Sequence, residues 1–147
     1  MIELEVYAAG PITGQNYEGA TGWREDLQEL VDGPIRILDP MRHKQYLLEA
    51  VHIADSYEES ILSSQRAIVS RDRYDVERCD VLAIYLPMVP CVSIGSMFEL
   101  SLADYLRKPI VGYLAPGSRH DHAFVREAIT IRVKSLEQMA EALNGLL

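Results

Sequence analysis

The chain has 147 residues, the size of one ordinary domain, and 48% of them are hydrophobic, enough to bury a core without metal or disulfide support. Its 22 acidic against 14 basic residues leave a formal net charge of −8, which argues against a nucleic acid polymer or an anionic membrane as partner and favours a small ligand. The start Met1-Ile2-Glu3-Leu4-Glu5 lacks a signal-peptide pattern and no apolar run approaches the ~20 residues that span a bilayer, so a cytoplasmic protein is expected, with Cys79 and Cys91 reduced and neither a disulfide scaffold nor a structural zinc site.

In chain order, Leu4 to Ala9 is a short apolar run stopped by Gly10-Pro11, as a buried strand followed by a turn would be. From Tyr17 to Val31, Trp23, Leu27, Leu30 and Val31 share one helical face, and Asp32-Gly33-Pro34 supplies the stop. Ile35 to Leu38 reads as a second strand ending at Asp39-Pro40. Residues from about Lys44 to Arg78 are rich in helix formers and contain neither Gly nor Pro, while Ser60, Ser63 and Ser64 leave room for a break, so two helices are expected. Asp80 to Leu86 is the clearest buried strand. After a loop of polar and small residues, Phe98, Leu102 and Leu106 recur at helical spacing before Lys108-Pro109. Ile110 to Leu114 is a strand, Gly117 to Asp121 a surface loop, Ile129 to Val133 a last short strand, and Leu136 to Leu147 a helix with an apolar stripe.

This alternation implies one α/β domain over residues 1–147. Its mainly parallel, five-stranded sheet would be of flavodoxin-like or Rossmann-like type, with helices on both faces. Ligands in such sheets bind beyond the carboxyl ends of the strands at the topological switch point, which directs attention to the loops after Ala9, Leu38, Leu86 and Leu114, the first and third carrying the best chemical signals. In the first, Gly10, Pro11 and Ile12 either line a ligand with their peptide groups or form a tight turn only. In the third strand's loop, small residues including Ser93 and Gly95 enter a helix one turn before Glu99, which is either a site carboxylate or a first-turn acid favoured by the helix dipole.

Three pieces in this order carry a resemblance: Val6-Tyr7-Ala8-Ala9-Gly10-Pro11, then Arg71-Asp72 upstream of Cys79-Asp80-Val81, then Ser93-x-Gly95-x-x-x-Glu99. Together they resemble the nucleoside 2-deoxyribosyltransferase family, with its relatives that hydrolyse nucleoside 5'-monophosphates. The resemblance covers nearly the whole chain. It implies that Glu99 attacks the anomeric carbon to form a covalent glycosyl-enzyme, that Tyr7 orients it, and that Asp72 acts at the nucleobase. An ionised carboxylate suits an oxocarbenium-like transition state, a second acid assists departure of the base, and no metal or organic cofactor is required.

Many transferases of the family carry aspartate where this chain has Ser93, whereas the monophosphate hydrolases carry serine; its hydroxyl suits a 5'-phosphate, a sugar hydroxyl or a helix cap. The loop Ile12-Thr13-Gly14-Gln15-Asn16 has no Arg or Lys, although Arg24, Arg42 and Arg71 can approach from elsewhere, and the balance favours the transferase over the hydrolase and over a third alternative, a nucleotide-binding sensor without chemistry, which Glu99 as an apparent nucleophile disfavours. Asp39 and Arg42 are candidates either for substrate contact or for a loop salt bridge. Asp80 reads as a structural acid, His120 and His122 as polar loop residues without a metal, and Cys91 as lacking the His partner of a nucleophilic thiol. The expected partners are a nucleoside or nucleotide and a free nucleobase. The resemblance also implies a homo-oligomer with sites near subunit interfaces, and the apolar residues between Ile53 and Val69 suit either an interface or the core.

Overall fold

A computed structural model describes all of residues 1–147. Five parallel strands, β1 (Leu4–Ala9), β2 (Ile35–Leu38), β3 (Val81–Leu86), β4 (Ile110–Leu114) and β5 (Ile131–Val133), lie in the order β2-β1-β3-β4-β5. They alternate with helices α1 (Tyr17–Leu30), α2 (Gln65–Arg78), α3 (Ile94–Tyr105), α4 (Ala123–Ala128) and α5 (Leu136–Asn144). This is the expected doubly wound α/β architecture, and the chain reverses direction across the sheet between β1 and β3.

Strand periodicity sorts the core into two layers. Leu4, Val6 and Ala8 of β1 with Val81 and Ala83 of β3 pack on Trp23 and Leu27 of α1 and on Met139 and Leu143 of α5. The alternate residues Tyr7, Ala9, Leu82, Ile84 and Leu86 pack on the other face against Val76 of α2, Leu100 and Ala103 of α3 and Val125 of α4. Tyr7 therefore points toward α2 and α3, the two helices that carry Asp72 and Glu99. Register adds to this, because Tyr7 pairs with Leu82 and with Leu38 near the carboxyl end of the sheet.

Four of the five helices begin at side chains suited to capping: Asn16, Ser64, Ser93 and Ser135 accept from Gly19, Ala67, Ser96 and Gln138 N–H. No helix is long and apolar enough to cross a membrane.

Three expectations need correction. The stretch from Lys44 to Arg78 holds one α-helix, not two; before α2 there is only a single 3₁₀ turn at Gln45–Leu47. Its backbone has better partners elsewhere: Ile53 N–H donates to Gln15 O (2.8 Å) and Gly14 N–H donates to Ile53 O (2.7 Å), tying it to the β1–α1 loop. Ile53 is buried there with Met41, Leu47 and Ala20, whereas Ile61 is 90% exposed.

Secondly, Phe98 and Leu106 do not form the inner face of α3. Phe98 is 75% exposed, and the helix packs through Ser96, Leu100 and Ala103, small enough on average to let it lie close to the sheet and α2. Thirdly, the last strand begins at Ile131, because the short helix α4, which periodicity did not reveal, occupies the residues just before Ile129.

Gly10 is confined by its surroundings. A Cβ there would stand 2.8 Å from Trp23 Cζ2 and 2.9 Å from the Tyr85 carbonyl oxygen, and the indole is itself stacked on Tyr85 at 4.9 Å. Gly10→Ala is expected to destabilise the protein by about 1–3 kcal/mol through this overpacking. Urea unfolding checks it; an unchanged midpoint would show that Trp23 moves aside freely.

Candidate active site

The carboxyl ends of β1 and β3 open into a cleft of about 510 Å³ at the switch point. Gly10, Pro11 and Ile12 line it from the β1 loop, Ser93 and Gly95 from the start of α3, Asp72 from α2 and Glu99 from α3. Tyr7 lies beneath, fully buried, and its hydroxyl donates to Glu99 Oε2 at 2.5 Å. The turn reading and the ligand-lining reading of Gly10-Pro11 are thus compatible: Gly10 packs on Trp23 behind the loop while the loop's front borders the cleft.

The electrostatics follow from crowding acids into a confined space. Burial first, and the neighbouring Asp72 second, push Glu99 up to about 8, against the opposing pull of the Tyr7 hydroxyl and the Arg24 guanidinium. Burial also raises Asp72 above the usual carboxylate range, while Lys44 pulls it back down. Tyr7 is held well above its ordinary value by burial and by Glu99, so it remains a hydrogen-bond donor. Asp72 Oδ1 is buried and has no hydrogen-bond partner in the protein. Two carboxylates so placed retain a proton between them near neutral pH, one serving as acid while the other is ionised. Tyr7 occupies Glu99 Oε2, leaving Oε1 for an electrophile.

Arg24 holds the floor. Its side chain is buried and donates to the carbonyls of Ala8 (3.0 Å), Ala20 and Gly10 (3.1 Å), with Asp39 Oδ1 3.8 Å from Nε. Asp39 and Arg42 do not border the cleft. Asp39 Oδ1 accepts from Met41 N–H at 2.7 Å, and Arg42 reaches the fully buried Asp75 at 2.6 Å, which Arg78 also pairs at 2.9 Å. The loop-salt-bridge alternative describes Arg42. Arg71 donates to the Arg42 carbonyl at 2.8 Å, so none of the three arginines considered for a phosphate borders the cleft.

Ser93 caps α3: its hydroxyl accepts from Ser96 N–H and donates to Ser96 Oγ at 2.8 Å. Its own N–H donates to the buried His120 at Nε2, 2.8 Å away, which ties the β4–α4 loop to the entrance of α3. His122 caps α4 by accepting from Phe124 N–H. Asp80 exchanges backbone and side-chain hydrogen bonds with Glu5, consistent with a structural role.

Sequence reasoning passed over Lys44, which is only 5% exposed and is the one Lys or Arg lining the cleft. The signal was a basic residue within a short loop at the carboxyl end of β2, next to β1 in the sheet. It also passed over the cleft wall from the segment before α2, including Tyr57 and Ser63, because that segment reads as helical.

No family model matches the sequence, and no curated protein sequence matches it significantly. Solved structures do match. A CMP N-glycosidase from Clostridium botulinum superposes with a TM-score of 0.59 at 16% identity, covering 97% of this chain and 99% of its own. A 2-deoxyribosyltransferase from Leishmania mexicana superposes with a TM-score of 0.57 at 17% identity, covering 76% of this chain and 65% of its own. The chain therefore has the α/β fold of enzymes that act on N-glycosidic bonds, the fold implied by the resemblance in its motifs.

Proposed function

We propose that this protein cleaves the N-glycosidic bond of a 2'-deoxynucleoside by double displacement at Glu99 and passes the sugar to a second nucleobase. The observation that carries this reading is the meeting of Tyr7, Glu99 and Asp72 at the switch-point cleft. Glu99 passes its proton to Asp72 and, ionised, attacks C1' through Oε1, the C1'–N bond breaks with its electron pair going to the base, and Asp72 delivers the proton to that base. The incoming base then attacks C1', its N–H proton passing to Asp72 as the C1'–O bond to Glu99 breaks, giving net retention and ping-pong kinetics. The reaction needs neither metal nor organic cofactor, and residues 1–147 act as one catalytic domain, associating with further copies.

Two features favour an unphosphorylated substrate: the Ser93 hydroxyl is engaged in capping, and the cleft lining sets three carboxylates, Asp55, Asp72 and Glu99, against a single cation, Lys44. One feature favours a second reading, hydrolysis of a nucleoside 5'-monophosphate. Gly95 stands in the first turn of α3 with nothing within 4 Å of a Cβ position, leaving room for an anion against the helix N-terminus. A CMP N-glycosidase is also among the similar folds.

The test is incubation with a 2'-deoxynucleoside and a different free base, repeated with the matching 5'-monophosphate, with products separated by chromatography. A new deoxynucleoside in the first reaction is the expected result. Free base and sugar phosphate from the second alone would replace the transferase with the hydrolase, and no product in either would reject both.

A further inference from the structure

Lys44 is placed with unusual care for a lysine. The loop after β2 turns through His43, whose φ of 63° is in the left-handed region, and brings Lys44 to 5% exposure on the cleft wall. That loop is pinned on both sides: Asp39 accepts from Met41 N–H, Lys44 N–H donates to Met41 O at 3.1 Å, and Arg42 is held by the buried Asp75. No hydrogen bond or ion pair engages the Lys44 ammonium itself, although Asp72, Arg71, Arg42 and Asp39 are close enough to act on its charge. The stem is buried while the ammonium, which is not among the buried polar atoms left without a partner, opens into the cleft, where an acceptor on a ligand can take the place of water.

Resting on the reading of this cleft as an N-glycosidic site, we infer that Lys44 selects the nucleobase. Its ammonium donates to a ring carbonyl oxygen while Asp72 meets a ring nitrogen. The preferred bases are therefore pyrimidin-2-ones and 6-oxopurines, with adenine, which has no oxygen acceptor, discriminated against. The surroundings suit a flat base: Met41, Leu47, Ile53 and Ile68 border the same cleft, and Asp72 is the opposite charge that acts most strongly on Lys44. A 5'-phosphate is the poorer occupant, because Asp72 would repel it and the free N–H groups of α3 belong to the other loop. The contact also assists the chemistry. When the C1'–N bond breaks, the electron pair received by the base spreads onto its carbonyl oxygen, where the ammonium stabilises the charge.

The test compares wild type, Lys44→Met and Lys44→Arg on 2'-deoxycytidine, 2'-deoxyinosine and 2'-deoxyadenosine, and on the corresponding monophosphates. The wild type should prefer the two oxo-bases. Lys44→Met should lower kcat/KM for them roughly 10- to 100-fold and for 2'-deoxyadenosine less than about threefold, with Lys44→Arg between. Equal losses on all three bases, a wild-type preference for adenine, or a loss confined to the monophosphates would each overturn the assignment. Calorimetric binding of free hypoxanthine and free adenine separates this inference from the catalytic reading. Tighter binding of hypoxanthine, lost in Lys44→Met, would sustain Lys44 as the base selector even if no glycosyl transfer occurred; equal binding would reject it. Should Lys44→Met fail to fold, Lys44→Gln, which keeps a neutral donor, carries the same comparison with a smaller expected loss.

Discussion

Glu99→Gln is expected to reduce glycosyl transfer by at least about 10⁴-fold, because the amide keeps the shape of the side chain but cannot serve as the nucleophile. The same substitution should change stability in the opposite sense at high pH. Burial and the neighbouring Asp72 push Glu99 up to about 8 from the 4.5 of an unperturbed glutamate, so the folded state holds this proton more tightly than the unfolded state. A raised carboxylate pKa contributes stability that is fully present below the unfolded value. That contribution declines as pH rises between about 4.5 and about 8 and is gone above it. Wild type should therefore lose on the order of 3 kcal/mol between pH 5 and pH 8.5, and Glu99→Gln should lose much less, ending more stable than wild type in alkali. Urea midpoints at pH 5, 6.5 and 8.5 measure this directly. Parallel pH dependences in the two proteins would mean that Glu99 does not carry the proton, and a folded variant with undiminished transfer would reject it as the nucleophile.

Tyr7→Phe isolates what the tyrosine adds. Tyr7 is completely buried and donates to Glu99 Oε2, a hydrogen bond that favours the ionised carboxylate. Without the hydroxyl, burial and Asp72 act on Glu99 unopposed by that bond, so its pKa rises further. The ascending limb of the kcat/KM profile, which reports ionisation of the nucleophile, should move to higher pH, with kcat reduced roughly 10- to 100-fold at pH 7. A uniform loss at every pH with no displacement of the limb would show that Tyr7 acts only by shape. Restoring part of the rate in the variant by raising the pH is the more specific result.

Much of this molecule is readable from local pattern because parallel α/β folds tie pattern to position. The apolar runs of β1, β3 and β4 are buried on both faces, and the turns at Gly10-Pro11 and Asp32-Gly33-Pro34 punctuate them, so strands, sheet type and the useful ends of the strands all follow from residue order. Tyr7, Asp72 and Glu99 were singled out by their motifs, and the fold brings them together: alternation along β1 puts Tyr7 on the face covered by α2 and α3.

Other features depend on partners far away in the chain, which no local window contains. The residues before α2 favour helix by composition, yet the exchange of hydrogen bonds between Ile53 and the β1–α1 loop satisfies their backbone and turns them into a wall of the cleft. Phe98 and Leu106 have helical spacing but the wrong azimuth, since only docking on the sheet and α2 decides which side of α3 is inside. Arg42 became a structural residue because the buried Asp75 lies within 2.6 Å of it, and Lys44 entered the cleft because that pinned loop turns it there. Periodicity and turn chemistry act between neighbours in sequence and so settle the elements; charge pairing, burial and the repulsion between Asp72 and Glu99 act between neighbours in space, and these arise only once the chain has folded.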